Sequence, residues 1–557
     1  MLLGSSFEES FVLYARKTLL STAFLALVPL LLSAEEKVDL AAINKIKTEA
    51  FENSKVMDHM FYLTDVNGPR LAGSPGFKGA GDWAVGRLKE YGLVNVREEK
   101  WGPFGRGWVL KHYEGHLIEP QYAPLIGVPL AWTGSTEGSV SGEPMMVSIQ
   151  TEKDFEKYKG KLKGKFVMTQ PLKEIGVQTN ALGHRYTDAE LSTEAVAPDP
   201  SARGGLGGGR PPAMFGGQPI PTDPEARRKM MEERRNFTEK VAQFYKEEGA
   251  LVILSYGFTG DGGTVFVGSG GSYDPKKPTA MASVALTPEH YNRIVRLMDH
   301  KIPVKLEFNI KADFLTENPD SFNVIGEIPG NGKKDEIVMI GAHLDSWHGG
   351  TGATDNAAGS AVMMEVMRIL KTMEGKLDRT VRIGLWGAEE EGLLGSKAYV
   401  KEHFGDPATM KLTGEHAKLA GYFNYDNGTG KVRGVYLQGN DMVRPIFEQW
   451  IKPFQDMGVT TVSIRNTGGT DHLSYDAVGL PGFQFIQDPM EYNTRTHHSN
   501  MDVYDRIQGG DLMQASAVIA SFVYNAATRP EMLPRKALPK PTPARREGGN
   551  VPMPTAE

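Results

Sequence analysis

The chain has 557 residues, 40% of them hydrophobic and 23% charged, with no cysteine. That length exceeds one ordinary core, so two or more domains of a soluble globular protein are expected. The net charge of −6, without a basic face interleaved with aromatics, argues against nucleic acid as a partner. With no thiolate available, any metal site must be built from His, Asp and Glu.

The first segment reads as targeting sequence. Arg16 and Lys17 precede TLLSTAFLALVPLLLSA, whose small-residue end lies near Ala34. A basic region, a short apolar run and a small-residue end predict a signal peptide over 1–34, hence a secreted or periplasmic protein. An uncleaved N-terminal membrane anchor is the alternative. From Val38 to Trp101 the pattern predicts helix, turn, helix: periodicity through AAINKIKTEAFENSKVMDHMFYL, punctuation at NGPRLAGSPG, and an amphipathic helix ending at Gly92. This is the N-terminal part, 35–116, of a larger domain.

Between 117 and 301 the texture changes to short apolar runs parted by Gly and Pro, among them GEPMMVSI, GKFVMTQ, GALVILSYG and TAMASVAL. Such spacing predicts an inserted β-rich domain. Within it, about 200–235, GGLGGGRPPAMFGGQPIP reads as a flexible loop and EARRKMMEERR as an exposed helix. From 302 to 528 strands (EIVMIGAH, TVRIGLWG, AGYFNYD, VRGVYLQG, TVSIRN, GFQFIQD) alternate with helices. That alternation predicts an α/β fold with a mixed, largely parallel central sheet flanked by helices. Residues 529–557, rich in Pro and Arg, predict a disordered tail.

In parallel sheets ligands sit beyond the carboxyl ends of the strands. His343 and Asp345 follow IVMIG, and Asp355 lies on the loop into the next helix. Glu389 and Glu390 follow VRIGLWG, Asp426 follows AGYFNY, and His497 and His498 lie on a loop after GFQFIQD. Taken singly, each is more often a structural hydrogen bonder or a solvated helix start than a ligand. Gathered on one rim, the carboxylates would disfavour each other's ionisation unless cations were present. Two imidazoles and three carboxylates, one able to bridge, suit a pair of metals about 3.5–4 Å apart. Zinc fits these ligands best, with manganese or cobalt able to share them.

The ordered set GAHLDS, GATDNAAGS, WGAEEEGLLGS, YFNYDNG and HHSNMD resembles the M28 family of two-zinc metallopeptidases, over roughly Pro303 to Asn525. NGPRLAGSPG resembles the family's N-terminal catalytic segment, and the β-rich middle its inserted protease-associated domain. The resemblance implies the zinc exopeptidase fold, two Zn2+ and short peptide substrates, and is compatible with a homodimer. It makes His343 a ligand of one zinc, Asp345 the carboxylate that orients it and Asp355 the bridge. Glu389 becomes the general base, Glu390 a ligand, Asp426 the ligand completing one metal and His498 the ligand completing the other. Glu391 opens a register slipped by one, which the following Gly392-Leu393 disfavours. His497 stands where many members carry Tyr, and the resemblance implies an oxyanion donor there. Asp471 and His472 fall in GGTDHLSYDAVGLPGF, which resembles a cleft-lining segment, or else only support the last strand. Trp347 and His348 are expected to line the pocket or pack beneath it. The expected reaction is exopeptidase hydrolysis, aminopeptidase before carboxypeptidase or dipeptidase, with a non-enzymatic binding relative as the remaining alternative. A one-zinc glutaminyl cyclase is disfavoured by His343 in its HxD context.

Overall fold

The computed structural model describes residues 36–200, 214–215, 218–219, 221, 223–257 and 259–541. The expected signal segment, 1–34, lies outside them. Contacts separate Met1–Val38 from Asp39–Glu557, and the fold below is that of the second unit.

Its frame is an eight-stranded sheet: β1 (Val94–Trp101), β2 (Ser321–Ile328), β3 (Lys333–His343), β4 (Arg379–Trp386), β5 (Leu419–Asn424), β6 (Val432–Tyr436), β7 (Thr461–Ser463) and β8 (Gly482–Gln487). The order across the sheet is β1-β2-β4-β3-β5-β8-β6-β7. The four central strands β4, β3, β5 and β8 are parallel, whereas β1 and β2 run antiparallel on one side and β6 antiparallel to β8 on the other. The sheet is therefore mixed about a parallel centre, as the alternation predicts. Every residue of β2, β5 and β8 is buried, which is what a strand covered on both faces requires.

The covers are helices α1 (Leu40–Glu52), α2 (Pro75–Glu90), α3 (Ala358–Lys371), α4 (Leu394–His403) and α5 (Gly509–Thr528). Successive residues of β5 show how the faces divide. Tyr422 stacks on Tyr475 of the 472–476 helix at 3.9 Å, while its neighbour Phe423 meets Phe522 of α5 at 6.0 Å. On the β1–β2 side, Phe77 of α2 stacks on Phe322 at 4.6 Å.

A second eight-stranded sheet comes from the chain between β1 and β2. Its strands, in spatial order, are 123–124, 107–119, 305–315, 139–146, 165–168, 252–256, 283–286 and 127–129. The long antiparallel pair 107–119 and 305–315 closes it, so this sheet begins and ends outside the 117–301 span expected for the insertion. The strand 305–315 alternates buried and exposed residues, and its inward Leu306, Phe308 and Ile310 share a core with Phe166, Leu254 and Tyr291.

Three further expectations need correction. VNVREEKW, left without an element by the helix–turn–helix reading, is strand β1, an edge strand whose charged side chains are tolerated because one margin faces solvent. The exposed helix expected over EARRKMMEERR extends well beyond it, starting from a cap at Asp223. There its carboxylate accepts the Ala226 amide at 2.7 Å and Pro224 starts a helix running to Glu247; residues 201–213 lie outside the described set. The expected disordered tail is ordered as far as Lys540: Leu533 is buried, Arg535 donates to the Leu419 carbonyl at 2.5 Å, and Lys536 pairs with Asp476 at 2.5 Å. Among the described residues, no helix is long and apolar enough to cross a membrane.

Candidate metal centre and active site

Parallel register brings the polar residues together. His343 lies level with Trp386 at the end of β4, Gly341 with Asn424 at the end of β5, and Asn424 with Gln484 of β8. The residues that follow these ends therefore emerge on one rim. Gly352 permits the turn into Asp355: its φ is +67°, and a Cβ there would lie 2.3 Å from the Ser346 Cβ.

On that rim His343 Nε2 is 3.2 Å from Asp355 Oδ1 and 3.4 Å from Asp426 Oδ1. The other oxygen of Asp355 is 3.2 Å from His498 Nε2, which lies 2.9 Å from Glu390 Oε2. Two ligand sets thus share one carboxylate: His343, Asp355 and Asp426 on one side, and Asp355, Glu390 and His498 on the other. His497 is also beside Asp355, at 3.7 Å, but only His498 meets Glu390 as well. Glu389 stands next to the first set, its Oε2 at 4.0 Å from His343 Nε2.

The donor set fits divalent cations. His343 Nε2, Asp355 Oδ2 and Glu390 Oε1 are buried without a hydrogen-bond partner, and buried polar atoms left so are expensive unless something else satisfies them. Electrostatics agree. Burial, then the neighbouring Asp355, pushes the Glu390 carboxyl up to about 7, and burial likewise holds Glu389 and Glu391 well above the usual carboxylate range. His498, although buried, is raised to about 10 by Glu390 and Asp355. Carboxyls raised by mutual repulsion and burial, beside a raised imidazole, are what a divalent cation bound among them would relieve.

The remaining groups are placed as follows. His343 Nδ1 faces the backbone carbonyl of Asp345 at 3.0 Å, with the Asp345 carboxylate farther off at 3.7 Å. That carboxylate accepts instead the amides of Glu389 and Glu390, at 3.1 and 3.2 Å. Asp345 therefore orients the glutamate loop at least as directly as the imidazole. His497 stacks between His498 and Tyr492, and burial followed by the charge of His498 lowers it to about 4, so it is a neutral ring near pH 7. Asp471 is fully buried with both carboxylate oxygens unpartnered, while His472 binds the Thr467 carbonyl at 3.2 Å. His348 binds the Pro129 carbonyl at 2.6 Å, and Trp347 packs edge-on to Trp132 and His498. Asn356 fixes the start of α3, accepting the Gly359 amide at 2.8 Å and donating to the Tyr425 carbonyl at 3.1 Å.

Two residues shape the site without a ligand's signature in sequence. Asp502 accepts the amides of Thr354 and Asp355, at 2.5 and 3.2 Å, and so aims the shared carboxylate. Only the final letter of HHSNMD pointed there. Arg70, fully buried, donates to the carbonyls of Leu63, Leu344, Thr351 and Gly352 at 2.7–2.8 Å and props the loop between β3 and Asp355 from below. Arg70 lies in NGPRLAGSPG, a stretch marked above by its family resemblance, but nothing in that stretch assigned the arginine a role.

Comparison with known proteins agrees with this geometry. Residues 323–523 match the family model described as Peptidase family M28. The chain is 32% identical over 263 residues to Carboxypeptidase Q of Mus musculus, covering 47% of this chain and 52% of that protein. It is 31% identical over 219 residues to Aminopeptidase YwaD of Bacillus subtilis (strain 168), covering 38% and 46%. The chain thus spans about half the length of the curated relatives it matches. Among solved structures, a Peptidase M28 precursor from Shewanella amazonensis SB2B superposes with a TM-score of 0.61 at 25% identity, covering 90% of this chain and 98% of that one. An aminopeptidase from Aneurinibacillus sp. strain AM-1 shares the fold, with a TM-score of 0.51 at 20% identity and coverage of 89% and 98%. Residues 323–523 thus match Peptidase family M28, and the chain shares its fold with a solved member.

Proposed function

We propose that the chain is a secreted or periplasmic di-zinc exopeptidase that hydrolyses short peptides, releasing the N-terminal residue, and that the 107–315 sheet is an inserted domain of the protease-associated type. The observation that carries the reading is the pair of ligand sets sharing Asp355, with an additional buried carboxylate, Glu389, beside them. Two zinc ions, when bound, supply Lewis acidity to the scissile carbonyl and ease deprotonation of the attacking water.

The chain's own residues do the rest. His343, Asp355, Asp426, Glu390 and His498 would hold the metals, with Asp355 common to both ligand sets. Glu389, buried and raised in proton affinity, takes the water's proton and passes it to the leaving amine. Asp345 keeps Glu389 and Glu390 apart in their two roles by binding both backbone amides. His497, neutral near pH 7, has one N–H to offer a developing oxyanion. The relative named Aminopeptidase YwaD supports release from the N-terminus.

The relative named Carboxypeptidase Q favours a second reading, release of the C-terminal residue or cleavage of dipeptides. Incubating the zinc-loaded protein with free and N-acetylated short peptides, with products identified by mass, separates them. Cleavage abolished by acetylation is expected; loss of the C-terminal residue despite acetylation overturns the polarity. Glu389→Gln should keep both metals and lose turnover by about 10²–10⁴-fold.

A further inference from the structure

The two ligand sets are supported differently. His343 ends a central strand, and its backbone carbonyl accepts the Ser360 hydroxyl of α3 at 2.8 Å, so everything that holds it belongs to the main sheet. His498 is on no regular element. Its φ is +60°, a left-handed conformation that a side chain with a Cβ rarely adopts unless its surroundings enforce it.

Its backbone is held by a loop of the insertion, between the second sheet's strands 252–256 and 283–286. Residues 263–267 run antiparallel to 498–500, with Phe266 paired to Ser499. The Val267 amide donates to the His498 carbonyl at 2.8 Å, and the Asn500 amide donates to the Val265 carbonyl at 3.1 Å. The Asn500 side chain closes the ribbon: its Oδ1 accepts the Val265 amide at 2.7 Å and its Nδ2 donates to the Gly263 carbonyl at 3.1 Å. The ribbon is itself anchored, because Val265 and Val267 are buried against Ala285, Val128 and Leu130.

We propose that the 263–267 ribbon, acting through Asn500, is the positioning device for His498, so that the insertion supports one of the two metal positions more directly than the other. The proposal rests on the di-zinc reading above. Asn500 touches neither metal nor substrate; it holds the backbone from which His498 reaches Glu390 and Asp355. Loss of such outer support typically weakens metal affinity by about 10–100-fold. The weakening should fall chiefly on one equivalent, since neither His343 nor Asp426 is hydrogen-bonded to the ribbon among the described residues, although Asp502 of the same loop also holds the shared Asp355.

The test is a chelator titration of the full chain. Zinc-loaded wild type, Asn500→Ala and Gly263→Ala are dialysed against graded dipicolinate, and residual zinc per chain is measured by mass spectrometry. Cobalt-substituted samples report coordination through their visible absorption. Gly263 has φ +87°, so an alanine there strains the turn that presents its carbonyl to Asn500, from the insertion's side and without touching the histidine loop. The expected result is that Asn500→Ala gives up one equivalent at least about tenfold more readily than wild type while retaining the other, with Gly263→Ala smaller in the same direction. Wild-type retention of both equivalents, or equal weakening of both, overturns the proposal. Should Asn500→Ala melt too early for titration, as read by circular dichroism, Gly263→Ala decides by the same criterion. A wild type that never binds a second equivalent sinks the di-zinc reading itself, a result distinct from either.

Discussion

The two eight-stranded sheets share a strand count and little else. In the main sheet β2, β5 and β8 are buried along their whole length and β3 along the half that leads to His343, so whatever follows the parallel strand ends is delivered to one rim. In the second sheet the longest strands alternate buried and exposed residues, bury one face and leave the other to water. The first arrangement can hold several charged side chains at fixed spacing because both its faces are clamped by helices. The second contributes no ligand to the centre, yet the loop between its strands 252–256 and 283–286 binds the histidine loop through backbone hydrogen bonds. Placement of reactive groups and support of a loop are thus divided between the sheets, each according to its burial.

That division can be broken at the rim first. Asp355→Ala removes the carboxylate common to both ligand sets, and metal content should fall from two equivalents to less than one, with turnover lost by at least about 10³-fold. A variant that keeps two equivalents would mean the bridge is misassigned. Second comes Arg70→Ala, which leaves four buried carbonyls under the metal loop without a donor. Chemical denaturation should show a loss of at least about 4 kcal/mol, with Arg70→Lys intermediate because an ammonium has fewer donors.

A pH effect sharpens the comparison on the main-sheet side. His59 is fully buried against the Ala361 carbonyl of α3 and the Tyr91 hydroxyl, and burial lowers it to about 3. Its proton affinity is thus lower folded than unfolded. The neutral ring costs nothing above about 6.5, and below that the unfolded chain gains a proton that the folded one refuses. Stability should fall by about 3 kcal/mol between pH 6.5 and 4, and His59→Gln should flatten that slope in urea melts taken across the range. Smallest is removal of residues 529–557, which strips Leu533 from its pocket and should cost about 2 kcal/mol without changing metal content.

The ligand residues could be read from sequence because each follows an apolar strand, and strand ends in a parallel sheet converge. The supports could not. Arg70 and Asp502 act by hydrogen bonding to backbone, which any sequence supplies, and their partners lie far away along the chain. Asn500 was visible only as one letter of HHSNMD, since its partners at 263–265 lie on a distant loop of the insertion. The edge strand VNVREEKW was hidden by its own charges, and the ordered stretch after Arg529 by a Pro- and Arg-rich composition that usually means disorder. Half-buried strands such as 107–119, with mixed polarity throughout, blurred the border of the second sheet.

Arg70 has one more consequence, for anyone trimming the gene. The segment matching the peptidase family begins at 323, and a minimal clone would start there. Such a fragment would keep every proposed ligand and discard the guanidinium that joins Leu63 to Leu344, Thr351 and Gly352. The boundary drawn by similarity is therefore not a boundary of cooperativity: the loop carrying the shared aspartate is finished by a residue that the ribosome makes 274 to 281 positions earlier.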